Sequence, residues 1–247
     1  MSPDGYFSSS QVTAGSRQKN LCLHVLFPML RAMPVSDGLN VLYSDNKIVV
    51  VDKPSGLLSV PGKGPDKMDC VVTRVQAMFP ECRKHPAVHR LDMDTSGILV
   101  LGLTARAQRE LSIQFQDRKV SKRYVALLEG AVDGDDGVID LPLRVDLDNR
   151  PHQMVCHEHG RRALTIWKKI QIEENGWTRI NFMPITGRSH QLRMHASHHE
   201  GLGVPIVGDR LYGTGKFPGR LHLHAEFLKF THPKTGEVME FLTEAPF

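Results

Sequence analysis

The densest chemistry in the chain lies in nine residues, His89–Gly97 (HRLDMDTSG), where charged side chains alternate with apolar Leu91 and Met93. Asp92 has His89 and Arg90 just before it, and a nearby arginine favours the ionised form of a carboxylate. The loop leads into an apolar run, Ile98–Leu103, which makes it a site for a catalytic anion held by a buried scaffold. The plainer alternative is that Asp92 and Asp94 only make turn and cap hydrogen bonds ahead of a strand. A calcium loop does not fit. Counted from Asp92, the ninth and twelfth ligand positions fall on Val100 and Leu103, which carry no oxygen ligand.

A second cluster is Pro184–His195 (PITGRSHQLRMH). Thr186-Gly187 makes a turn, Arg188 stands near the start of a helix, and Arg193 follows on a later turn, an arrangement suited to anion recognition. A third, Arg118–Tyr124 (RKVSKRY), sets Lys122 and Arg123 beside an aromatic at the start of a strand, with no acid. That combination suits contact with a nucleic-acid backbone plus stacking on a base, although a charge run is also the ordinary make-up of a solvated face. The histidines offer a rival. His195 and His199 are four apart on an expected helix and His222 and His224 alternate along an expected strand, so each pair would share a face and could hold the metal of a hydrolase. No H-E-x-x-H pattern supports that reading, and no metal is expected.

The elements that must position these clusters are legible in outline. Asn40–Tyr43 and Lys47–Asp52 read as hairpin strands about Ser-Asp-Asn, Met68–Met78 as a helix, and Ile98–Leu103 as a buried strand. Thr104 caps a helix reaching Asp117, with Leu111 and Phe115 on its buried face. Arg123–Glu129, Ala163–Ile172 and Thr178–Ile185 read as strands, Ser189–His198 as a helix, and Leu221–Phe230 as a last long strand. Strands outnumber helices without regular alternation, which predicts an α+β fold: one catalytic domain around a mixed, mainly antiparallel twisted sheet flanked by helices and loops. Residues 1–38 read as a polar, poorly ordered leader and residues 39–247 as the compact domain. Met33 is a candidate true start.

The whole chain is 247 residues with 31 Lys+Arg against 27 Asp+Glu, a net charge of +4, 40% hydrophobic and 23% charged. That excludes a wholly disordered chain, a collagen and a coiled coil. The charge permits an RNA partner without demanding one. Four scattered cysteines, Cys22, Cys70, Cys82 and Cys156, form no C-x-x-C pair, which predicts reduced thiols and a cytoplasmic protein. Leu21–Leu30 is too short to cross a bilayer, so no membrane is expected.

The clusters, in their order, resemble the RluA family of pseudouridine synthases. The matching pieces are Asp45–Leu58 (DNKIVVVDKPSGLL), His89–Gly97, Lys122–Ala126 (KRYVA), Pro184–His195, Gly208–Tyr212 (GDRLY) and Leu221–Ala225 (LHLHA), followed by His232-Pro233. The chain resembles the members without an N-terminal S4-type RNA-binding module. The resemblance implies isomerisation of uridine to pseudouridine in structured RNA, in the anticodon stem-loop of tRNA, in large-subunit (23S) rRNA, or both. It implies Asp92 as the catalytic aspartate, either attacking the sugar or removing a ribose proton, with Arg188 paired to it. Tyr124 would stack on the uracil, Leu223 pack across the pocket, and Arg90 enter the gap left by the target nucleotide. His89, Lys122, Arg123 and Arg193 complete the expected RNA-binding set. No cofactor is expected, since isomerisation needs neither redox change nor hydrolysis, and nothing suggests a dimer seam, so a monomer is expected. A non-catalytic RNA-binding module on the same fold is the other alternative.

Overall fold

The computed structural model describes residues 38–217 and 219–247. The leader up to residue 37, the Met33 start, Leu21–Leu30 and Cys22 lie outside the described residues.

The chain opens with a hairpin, β1 (Asn40–Ser44) and β2 (Ile48–Lys53), turned by Asp45, whose Oδ1 accepts from the N–H groups of Lys47 and Ile48. β2 then pairs antiparallel with β3 (Ser96–Gly102). Ile48–Val51 of β2 and Ile98–Leu101 of β3 are β-branched or aliphatic and buried on both faces. Their alternation splits the core. Val49, Val51, Leu99 and Leu101 face one layer, and Ile48, Val50, Ile98 and Val100 the other. Helix α1 (Val71–Met78) packs on the first layer through Val71, Val72 and Val75. Helix α2 (Ala105–Gln116) covers the second through Ala107 and Leu111, with Thr104 Oγ1 accepting from Ala107 N.

The remaining strands are β4 (Ser121–Leu128), β5 (Asp136–Asp140), β6 (Leu143–Val145), β7 (Gln153–Val155), β8 (Leu164–Ile172), β9 (Thr178–Pro184), β10 (Leu223–Thr231) and β11 (Val238–Leu242), with α3 (Gln191–Ser197) between β9 and β10. The main sheet runs β1-β2-β3-β10-β4-β9-β8-β5, with β11 beside β10, while β6 and β7 form a separate hairpin. Of the described strand pairs only β3–β10 is parallel. The expected mixed, mainly antiparallel α+β sheet is what forms.

Three elements differ from the sequence expectation in ways that matter to the site. The first helix starts at Val71, not Met68, because Cys70 and Thr73 make a reciprocal capping box. Helix α3 is confined to Gln191–Ser197. It is preceded by His190 at φ +52, and Gln191 Oε1 accepts from Thr186 Oγ1 and Arg188 N, holding the turn ahead of it. β10 starts at Leu223 rather than Leu221. His199 therefore lies beyond the helix and His222 outside the strand, so the paired histidine faces of the hydrolase reading do not form. His195 Nδ1 instead bonds Thr165 Oγ1, and His224 bonds Ser96 and Thr243.

Candidate active site

The loop 89–95 is held from beneath by a buried lysine. Lys53, the last residue of β2, is fully buried, and its ammonium donates to the carbonyls of Pro54 (2.9 Å), Leu57 (2.7 Å) and Met93 (2.9 Å). Burial pushes it down to about 8 against the raising influence of Asp92, Asp94 and Asp52. Ser55 Oγ donates to Asp94 O, and Ser59 Oγ donates to Leu91 O while accepting from Leu91 N. Arg210 closes the far side through Asp94 Oδ2 at 2.7 Å. With its backbone tied on both flanks, the loop presents Asp92 at a fixed place.

Asp92 lines a cleft of about 1630 Å³. The lining also includes Arg90, Lys122, Tyr124, Arg188 and Leu223. Tyr124 packs against the same buried cluster as Leu223. Burial first, then the Asp92 charge, raises the Tyr124 hydroxyl above its ordinary value. The phenol is therefore neutral, an aromatic face with a hydrogen to donate and not a ready base. A planar base placed here would meet an aromatic ring, an aliphatic side chain and a carboxylate.

Other expected site residues are placed differently. His89 stacks on Phe115, with ring centroids 4.3 Å apart, and its Nε2 accepts from Val100 N. Burial, then Lys122, lowers it to about 3. It lines the cleft half-buried, as a neutral group that packs on Phe115 and ties the start of the loop to β3. Arg123 does not line the cleft: on β4 its side chain alternates with Lys122 and Tyr124, so it turns to the other face, pairing with Glu226 and lying over Phe227. Arg193 is 2% exposed and bidentate to Asp209, Nε–Oδ2 2.7 Å and Nη2–Oδ1 2.6 Å. Its donors are directed into the protein, so it shapes the wall instead of reaching outward. The ion pair between Asp92 and Arg188 is not formed. Arg188 Nε donates to Arg162 O at 3.1 Å, and Asp92 has no ion-pair partner among the described residues.

Sequence reasoning overlooked a network behind this wall. Asp209 accepts from Leu211 N and Tyr212 N; burial raises its pKa, but the hydrogen bond and charge of Arg193 together with these two amide bonds bring it below the ordinary value. Tyr212 Oη accepts from Gln153 N at 2.8 Å and bonds His190 Nδ1 at 2.7 Å. The network links the β6–β7 hairpin, α3 and the loop after it. Lys53 had a visible signal, a cation ending a strand whose first four residues are apolar. The Arg193–Asp209 pair had none, because no local period connects the two.

A carboxylate on a braced loop, facing an aromatic and an aliphatic side chain within a rim of arginines, defines an enzyme that works on a base taken out of a nucleic-acid strand. A family model described as RNA pseudouridylate synthase matches residues 47–198, and the chain belongs to that family, the isomerases of RNA uridine. Among its relatives is a dual-specificity RNA pseudouridine synthase RluA of Yersinia pestis, 49% identical over 210 residues, 84% of this chain and 99% of the relative. The RluA of Escherichia coli K12 is 46% identical over 217 residues, 87% of this chain and 96% of the relative. Of solved structures, human RNA pseudouridylate synthase domain containing 1 superposes with a TM-score of 0.68 at 28% identity, covering 85% of this chain and 84% of that one. The RluA-family resemblance is thereby shown, and neither the hydrolase nor the non-catalytic alternative finds support. No helix among the described residues is long and apolar enough to cross a membrane.

Proposed function

We propose that the chain acts on the anticodon stem-loop of tRNA, on large-subunit (23S) rRNA, or on both, with Asp92 as the group that attacks or deprotonates the ribose of a flipped-out uridine. The dual specificity named for relatives that align along nearly their whole length supports both RNA classes. The C1′–N1 bond breaks, the uracil turns, and C1′ bonds to C5. The proton lost from C5 is matched by one gained at N1, so the reaction balances without a cofactor. Tyr124 stacks on the uracil, and its raised hydroxyl favours stacking and hydrogen donation over base catalysis. Leu223 closes the opposite side. Arg90, exposed at the cleft, fills the space the nucleotide leaves. Lys122 adds positive charge to the RNA-facing rim. The catalytic unit runs from residue 39 to 247, works as a monomer, and resides in the cytoplasm.

The observation that carries the reading is Asp92 on its braced loop, close enough to Tyr124 for its charge to act on the phenol. Asp92→Asn keeps the shape and removes the charge. Tritium release from RNA carrying 5-tritiated uridine should fall at least about a hundredfold, with RNA affinity nearly unchanged. Wild-type release from this variant would refute the assignment.

A further inference from the structure

Helix α2 ends in a turn that glycine would make more easily. Lys119 N donates to Gln114 O and Arg118 N to Phe115 O, the paired closure in which the second residue past the helix is usually glycine in the left-handed region. Here that residue is Arg118, at φ +59. A glycine would keep both backbone bonds without the strain. What the arginine adds is an exposed guanidinium lining the cleft.

Arg188 lines the same cleft from the turn before α3, tethered by Nε to Arg162 O. The residue before that carbonyl is Arg161, whose backbone is locked to Leu143 by bonds of 3.0 and 2.8 Å. Partial burial, then the charges of Arg161 and Arg118, disfavour the Arg188 cation. Among the described residues none of the three forms an ion pair. Neighbouring arginines do: Arg162 with Asp140, and Arg210 with Asp94. Arg118 and Arg188 line one cleft from separate segments, Arg161 stands near enough for its charge to act on Arg188, and with no carboxylate paired to any of them this is a repulsive arrangement that a bound anion would complete.

We propose that Arg118, Arg161 and Arg188 form a backbone-phosphate subsite that grips the RNA strand beside the nucleotide entering the cleft. The proposal rests on the reading of the cleft as the RNA site, and it gives Arg188 a partner other than Asp92. A phosphodiester suits the trio because its oxygens accept from guanidinium forks without regard to base, anchoring the strand while the uridine is extruded.

The test uses the full chain and a tRNA anticodon stem-loop as probe, with Arg118→Gly and Arg161→Gln. Arg118→Gly should melt no lower than the wild type, since it relieves the left-handed arginine, while its RNA affinity falls about tenfold. The slope of log affinity against log salt should become shallower by roughly 0.7–0.9 for each variant. KM should rise with kcat nearly constant. Unchanged affinity and salt slope in both variants would overturn the subsite, as would a loss confined to kcat. A wild-type chain that binds the stem-loop yet makes no pseudouridine in it or in 23S rRNA would refute the catalytic reading instead, and the salt slopes would still decide the subsite.

Discussion

Single side chains hold the candidate active site in place from behind. Lys53 touches no part of the cleft surface, yet its three carbonyl bonds tie the end of β2 to the loop that carries Asp92. Lys53→Met would fill the space and leave those carbonyls without a donor. Buried groups left so cost about 1–3 kcal/mol apiece, and relaxation would recover part of that. The expected loss is roughly 3 kcal/mol in urea unfolding, with weakened isomerisation because the loop loses its tether. Unaltered stability would show that the carbonyls find other partners. Asp209 acts in the same way for Arg193. Asp209→Asn would strand a buried guanidinium, and the expected cost is about 3–5 kcal/mol by the same measurement.

At the scale of elements, the meeting of β3 and β10 sets the distance between the Asp92 loop and Leu223. Gly97 pairs with Ala225, and a Cβ on Gly97 would stand 2.3 Å from Ala225 O and 2.6 Å from its N, at φ +114. Gly97→Ala must therefore push the strands apart or adopt a strained backbone. It should cost roughly 2–5 kcal/mol, read as a lowered melting temperature together with reduced activity; a normal melting temperature would contradict the close approach. The strands around this junction were legible because β2, β3, β4 and β9 carry apolar residues at regular spacing. β5, β6, β7 and β11 were not. Ile139 alone is buried in β5, β6 and β7 are three residues each, and β11 leaves Val238 and Leu242 exposed while burying Phe241. Their pairing comes from neighbouring strands, which no local pattern reports. The site divides likewise. The clusters that carry Asp92, Tyr124 and Arg188 stand out by residue type and by their resemblance to the family, and β alternation alone could have turned Arg123 away from Lys122 and Tyr124. The Arg193–Asp209 pair exists only once α3 and the following loop are folded together.

The whole molecule carries a net charge of only +4, so its RNA affinity depends on where cations stand, and its response to pH depends on what it buries. His195 and His224 are 0% and 1% exposed, and each is driven to about 4, chiefly by burial. In the unfolded chain both titrate near 6.5. Between pH 6.5 and 4 these two histidines therefore give the unfolded state about two more protons than the folded state, His89, lowered to about 3, adds a third, and stability falls as pH falls. The slope reaches about 1.4 kcal/mol per pH unit for each histidine, then flattens once the folded forms also protonate. His224 is the informative one to replace, because it joins Ser96, just after the loop that carries Asp92, to Thr243 near the C-terminus. His224→Gln can keep a polar contact with both hydroxyls but cannot take a proton. Urea unfolding at a series of pH values should show the variant losing stability less steeply than the wild type between pH 6 and 4.5, by about 1.4 kcal/mol per unit. Parallel curves would mean that His224 is charged in the fold or open to water, and the acid sensitivity would then belong to the carboxylate pairs, Arg193–Asp209 first among them.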